Sequence, residues 1–327
     1  MSTRPTAGIH HITAIATDPQ RNLDFYTQVM GLRLVKLTVN FDDPGTYHFY
    51  FGRENGAPGS ILTFFPWPGA APGSIGPGQV VAIAFAVSME SLAYWNARLR
   101  THGVSVHADI ERFGERVMRF RDPDGLWLEL VAASRTVPVA VSRTGPVPPE
   151  HALLAFHSAT LSEANPDSTA ALANVMGYEL KGNEGNRLRY HTVGQTAAIL
   201  DVSHEAEAPR GRLGAGTVHH IAFRTPGNEQ QLAWRDDLVS RGYHVTPVID
   251  RVYFHSIYFR EPGGVLFEIA TDPPGFIVDE PKEHLGEVLQ LPSWLEPHRH
   301  DLQRQLPRLT RSRPDMPALP HVEHAAD

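Results

Sequence analysis

Gly8–Thr17 reads GIHHITAIAT, and Thr217–Thr225 reads TVHHIAFRT. A His-His pair thus stands at the head of an alternating apolar stretch near each end of the chain. Such alternation is the signature of a half-buried strand. Two further segments begin in the same way, VAIAFAVS from Val81 and FHSATLSE from Phe156. Aligned on their apolar pattern, the four starts place His11, Ala82, His157 and His220 at one position. Four copies of one unit make internal repetition the main fact about this chain.

The residues after each start complete the unit. Asp18–Leu32, Ser88–Gly103 and Gly227–Tyr243 read as helices, the last two closing near Gly103 and Gly242, which suit helix C-termini. Two units then end almost identically, RFRDPDGLWLELVA from Arg119 and YFREPGGVLFEIAT from Tyr258. Asp-Pro-Asp-Gly and Glu-Pro-Gly-Gly are turn sequences, so each ending is a hairpin. Their last strands carry Glu129 and Glu268 at matching places. The corresponding places elsewhere fall near Thr63 in LTFF and Asp201 in AILDV. The expected fold is α+β: four βαβββ modules paired into two half-barrel domains. The expected layout is an N-terminal domain at 8–133, a Pro-rich linker at 134–150 and a C-terminal domain at 151–273. An arm with a short helix at 274–309 and a disordered tail at 310–327 complete it.

The bulk composition narrows the function classes. The 327 residues suffice for two ordinary domains and a sizeable core. A net charge of −7 without a basic run gives no footprint for nucleic acid. The chain has no cysteine, which removes disulfides, cysteine zinc sites and thiol catalysis. No apolar run is long enough to span a membrane, and no secretion signal follows the polar start, so the cytoplasm is the expected compartment.

Two histidines and a carboxylate, each on a strand of a repeated unit, can build a mononuclear metal site. With open positions left on the ion, these three donors are the set used in non-haem Fe(II) oxygen chemistry, and Mn(II) shares it. Glu268 sits in the apolar strand VLFEIA, where an unpaired carboxylate would be very costly, and a cation offsets that cost. If modules one and four pair, one cavity collects His11, His220, Glu268 and Thr63. The other collects Ala82, Glu129, His157 and Asp201 and reads as a vestigial site, with Glu129 free to pair with His157 without metal.

His10–Gly52, Ser256–Asp272 and Leu285–Arg299 together resemble the vicinal oxygen chelate superfamily. More narrowly they resemble its ring-cleaving hydroquinone 1,2-dioxygenase branch, over roughly residues 8–308. The resemblance implies Fe(II) on His11, His220 and Glu268, with a small aromatic diol and O2 as substrates in aromatic catabolism. It favours His11 and His220 as ligands because each is followed by an aliphatic residue. A period of two sends neighbours to opposite faces, so one histidine of each pair ligates, and His10 and His219 then lie beside the site as donors or acid–base groups. Tyr258, Arg251 and Thr13 are the expected substrate contacts, with His255 nearby; Asn40, Asp42, Asp43 and the run PGTYHFYFG at 44–52 read first as turn chemistry and otherwise as a loop shaping the site. Phe49, Phe65, Trp67, Tyr253 and Phe254 read first as core packing and otherwise as a ring pocket. Two other readings stay open. One is a glyoxalase-like metal-dependent isomerase or hydrolase. The other is a non-catalytic small-molecule binding protein of the bleomycin-resistance type. Exposed sheet faces leave self-association open.

Overall fold

The computed structural model of the chain describes residues 4–133 and 145–310. Most of the expected linker and nearly all of the expected tail lie outside these residues. The first module runs β1 (Ile9–Ala16), α1 (Pro19–Asp24), β2 (Arg33–Asn40), β3 (Asp43–Gly52) and β4 (Ile61–Pro66). The second runs β5 (Gln79–Val87), α2 (Ser91–Thr101), β6 (Ile110–Arg112), β7 (Glu115–Arg121) and β8 (Trp127–Ala132). The third runs β9 (Phe156–Glu163), α3 (Asp167–Val175), β10 (Glu179–Glu184), β11 (Arg187–His191) and β12 (Ile199–His204). The fourth runs β13 (Val218–Thr225), α4 (Asn228–Ser240), β14 (Ile249–Asp250), β15 (Phe254–Arg260) and β16 (Leu266–Pro274). All four are βαβββ units, as the repeat predicts.

Local chemistry sets their boundaries. Asp18 caps α1 by accepting the Arg21 N–H at 2.8 Å, with Pro19 in the first helical turn. The helix then widens into one π-helical turn, Phe25–Val29. Gly103 and Gly242 follow α2 and α4 at φ +73° and +90°, the left-handed conformation that ends a helix cheaply only with glycine. In the Asp-Pro-Asp-Gly turn, Asp122 accepts the Leu126 N–H at 2.8 Å, and in Glu-Pro-Gly-Gly, Glu261 accepts the Val265 N–H at 2.8 Å.

The strands form two eight-stranded sheets. One has the order β14-β15-β16-β13-β1-β4-β3-β2 and the other β10-β11-β12-β9-β5-β8-β7-β6. Modules one and four therefore share one half-barrel, and modules two and three share the other. Each sheet takes one module from each sequence half. The main core lies on one face of the strands, with Ile12, Phe49, Phe64, Ile221 and Ile269 from the first sheet beside Leu128, Leu161 and Trp234. The opposite face of the first sheet lines its concave interior.

The C-terminal arm is tied to the first half-barrel. Buried Lys36 on β2 pairs with Asp279 and Glu280. Gln290 N–H donates to the Leu37 carbonyl at 2.9 Å. Phe276 packs edge-on to Tyr50 and stacks on Tyr253. The expected short helix is α5 (Arg299–Gln305).

Candidate metal centre and its cavity

Pairing register brings the central residues together. Antiparallel β1 and β13 set His11 opposite Ala222 and Thr13 opposite His220. Parallel pairings set Thr63 beside Thr13 and Glu268 beside Ala222. Four positions thus converge inside the first half-barrel: His11, His220, Glu268 and Thr63.

Their geometry tests whether a metal fits. Glu268 Oε2 lies 3.0 Å from His220 Nε2 and 3.3 Å from His11 Nε2, and the two Nε2 atoms are 3.4 Å apart. Donors bonded at about 2.1 Å to one ion and set at right angles stand about 3.0 Å apart. Glu268 is fully buried, and its Oε2 has no hydrogen-bond partner, while Oε1 accepts from Ser256 Oγ at 2.5 Å. A buried oxygen with that surplus of lone pairs, facing two imidazole nitrogens, is suited to a cation. Burial alone would raise the Glu268 pKa, and positive charge at the facing His11 and His220 nitrogens holds it well below its usual range; with those rings neutral, a cation between them would supply that charge. Burial lowers the pKa of His220 and leaves a neutral ring, the form that ligates. The residues present fit a divalent metal.

The paired histidines act through β-bulges. The β1–β13 register slips between Ile9 and His11 and again between Thr13 and Ala14, leaving His10 and His219 as extra residues. A bulge re-aims a side chain instead of sending it to the far face. His10 Nδ1 therefore meets His11 Nδ1 at 2.9 Å, and His219 Nδ1 meets His220 Nδ1 at 2.8 Å. With the proton on His11 and His220 Nδ1, their Nε2 lone pairs are left for an ion. This is the orienting role that a neighbouring acceptor plays for ligating histidines. Burial and the neighbouring His11 hold His10 neutral, well below its usual pKa, and burial with His220 lowers His219 to about 3.

A cavity of about 500 Å³ opens onto this centre. Its lining includes the buried His11, His220, Phe254 and Asn40 and the half-buried Tyr258, and toward solvent the exposed Asp42 and Asp43 with half-buried Phe41, Trp67 and Arg251. Arg251 Nε donates to the Tyr258 hydroxyl at 3.3 Å, and Tyr258 pairs directly with Glu268 across β15–β16. Burial and the Glu268 charge push the Tyr258 phenol well up, so it stays protonated. Thr13 donates to or accepts from Thr63 at 2.8 Å, and Thr63 meets His48 Nε2 at 2.8 Å. Of the predicted aromatics, Phe65, Trp67 and Phe254 line the cavity. Phe49 faces the core, and Tyr253 packs under the arm. His255 bonds Asn228 at 2.7 Å and does not line the cavity.

His48 and Tyr50 are wall residues that the sequence pattern did not single out. Alternation within Tyr47–Phe51 was the available signal, since Tyr47, Phe49 and Phe51 take the core face.

The second half-barrel departs from the expected cavity. The β5–β9 register pairs Ala82 with Thr160 and Ala84 with Ser158, with a slip at Phe156–Ser158. The residue equivalent to His11 is therefore Ser158, not His157. His157 is the bulged residue, equivalent to His10, and its Nδ1 meets Ser158 Oγ at 3.1 Å. Nor does Glu129 pair with His157. Arg112 grips Glu129 at 2.7 and 3.1 Å, and Arg119 lies 3.2 Å from it. Arg189 grips Asp201 at 2.8 and 2.9 Å and reaches Glu115 at 2.6 Å. His157 Nε2 bonds Glu115 at 3.0 Å. Guanidinium groups thus supply the positive charge that a metal would supply in the first cavity. Among the described residues, only His11, His220 and Glu268 form a cluster able to hold a metal.

Comparison with known proteins places this architecture. Residues 8–130 and 162–269 match the Glyoxalase/Bleomycin resistance protein/Dioxygenase superfamily. The chain is 52% identical over 305 residues to MhqO of Bacillus subtilis, provisionally named a ring-cleaving dioxygenase, covering 93% of this chain and 96% of that one. It is 36% identical over 310 residues to a chlorohydroquinone/hydroquinone 1,2-dioxygenase of Sphingobium indicum, covering 91% and 95%. A crystal structure of a provisionally named dioxygenase from Bacillus subtilis superposes with a TM-score of 0.90 at 51% identity, covering 94% of this chain and 98% of that one.

Proposed function

We propose that this chain, which belongs to the glyoxalase/bleomycin resistance protein/dioxygenase superfamily, opens the ring of a hydroquinone with O2 to give a ring-opened acid. The observation that carries the reading is a buried face of three donors beneath a cavity of ring size. His11, His220 and Glu268 would hold Fe(II), with Mn(II) accepted by the same donors. Bound there with open positions, the metal supplies a Lewis acid for a phenolic oxygen and a site where O2 is reduced.

The chain's own groups do the rest. Phe254 and Phe65 flank the ring and keep water from it. Tyr258, protonated, donates a hydrogen bond toward an oxygen above Glu268. Arg251 offers a permanent charge to a phenolate or to the product carboxylate. His10 and His219 lock the ligand tautomers, each Nδ1 lone pair taken up by the neighbouring ligand histidine. An isomerase of the glyoxalase type calls for a second carboxylate at the fourth corner. Thr63 stands there, committed to Thr13 and His48. No described helix is long and apolar enough to cross a membrane, and the cytoplasm is the proposed location.

The test is product mass. Protein loaded with Fe(II) under argon and then mixed with hydroquinone and O2 should yield an acid equal in composition to substrate plus O2. A quinone as the only product, or unchanged substrate, overturns the reading.

A further inference from the structure

Arg251 and Asp42 meet across the mouth of the cavity. Asp42 stands in the β2–β3 turn of module one, and Arg251 follows β14 of module four. Arg251 Nη2 lies 2.9 Å from Asp42 Oδ2, and Nη1 lies 3.2 Å from Oδ1. This is the two-pronged geometry by which a guanidinium recognises a carboxylate. Asp42 is thus a carboxylate already seated where an acidic ligand of the cavity would bind.

The two partners are held very differently. The Arg251 side chain is 17% exposed, and the Asp42 side chain is 71% exposed. Arg251 is also fixed from behind, by the Tyr258 hydroxyl and by the Tyr258 ring face 5.4 Å away. Its neighbour Val252 adopts φ +69°, a conformation that a β-branched residue keeps only when its surroundings impose it. Adjacent Asp43 is committed, accepting from Trp67 Nε1 at 3.0 Å and Thr46 Oγ1 at 3.1 Å. The Asp42 backbone is pinned by Asn40 Oδ1 at 3.0 Å, while its carboxylate projects to solvent. One side of the pair is rigid, and the other is free to swing.

We propose that Asp42 is an exchangeable counter-ion that latches the cavity mouth and competes with the carboxylate product for Arg251. The inference rests on the ring-opening reading, which turns a neutral diol into an acid. The neutral substrate enters without displacing Asp42. The newly formed carboxylate takes the Arg251 fork, and Asp42 takes it back as the product leaves. Asp42 is largely hydrated even when paired, so water takes over its contacts when it lets go, which limits what the exchange costs. Asp42 is a positioning residue here and touches no reacting atom.

The test is equilibrium binding of benzoate, with benzamide as the neutral match, to Fe(II)-loaded protein under argon. Removing a competitor should tighten binding, which a merely structural role would not do. Asp42→Asn is expected to bind benzoate two- to fivefold more tightly and benzamide unchanged. Arg251→Gln is expected to lose the preference for benzoate. Equal or weaker benzoate binding by Asp42→Asn overturns the proposal, as does a parallel shift for benzamide or no benzoate binding by any of the proteins. The readout needs no turnover, so a failure of the ring-opening reading shows separately, in the product mass.

Discussion

Replacing Glu129 by leucine should destabilise the second half-barrel severely. Arg112 is 7% exposed at its side chain, and both of its forked contacts go to Glu129. Glu129→Leu leaves that guanidinium buried and uncompensated. Breaking a buried pair from one side costs about 3–5 kcal/mol. That is a large fraction of the roughly 5–15 kcal/mol by which folded chains are stable. Arg119 adds little, because it keeps the Trp127 face 4.6 Å away. The double variant Arg112→Met/Glu129→Leu removes both charges and fills similar space, so it should return to within about 1 kcal/mol of the parent. Urea unfolding followed by tryptophan fluorescence, with chelator present, reads both differences. Metal content should be the same in all three proteins. A single variant costing under about 1 kcal/mol, or a double variant no better than the single, refutes the view that ion pairs hold this half-barrel.

Three further outcomes rest on particular contacts. Glu163 lies against Gly263, and burial with the neighbouring Glu261 carboxylate pushes its pKa up to about 8. The folded state then keeps a proton that the unfolded chain releases near pH 4.5, so stability falls as pH rises from about 5 to 8, by up to about 1.4 kcal/mol per unit. Glu163→Gln should flatten that slope in melting temperature against pH, and an unchanged slope removes the cause. Thr63→Val strands Thr13 and His48, and should cost about 1–3 kcal/mol while metal content stays at the parent level; loss of the metal would make Thr63 a ligand. His220→Ala should abolish tight metal binding in equilibrium dialysis, whereas His157→Ala should leave it intact.

Much of this was legible in the sequence because its signals are local. The paired histidines mark strand starts, and Asp-Pro-Asp-Gly and Glu-Pro-Gly-Gly mark hairpins. The place of Glu268 follows from hairpin register. The bulges were not legible, because an extra residue in a strand is defined by its pairing partner. A strict period of two therefore gave no contact for placing His10 and His219 beside the ligands, and it aligned His157 where Ser158 stands. The counter-ions of Glu129 and Asp201 were hidden for another reason. Arg112 sits on β6, two strands from Glu129, and reaches it through a long side chain that no spacing rule encodes, while Arg189 stands directly opposite Asp201 in a β11–β12 hairpin that no Pro-Gly turn sequence marks. His48 was masked by a run that also reads as turn chemistry.

The central claim is that one metal on His11, His220 and Glu268 lets this chain spend O2 on a diol ring. It is tested most directly by O2 uptake of anaerobically Fe(II)-loaded protein with hydroquinones and catechols, beside His11→Ala and Glu268→Gln. The account predicts uptake with hydroquinone that vanishes in both variants, with one metal per chain in the parent. Full metal occupancy with no uptake on any diphenol, or uptake that survives both substitutions, would contradict it.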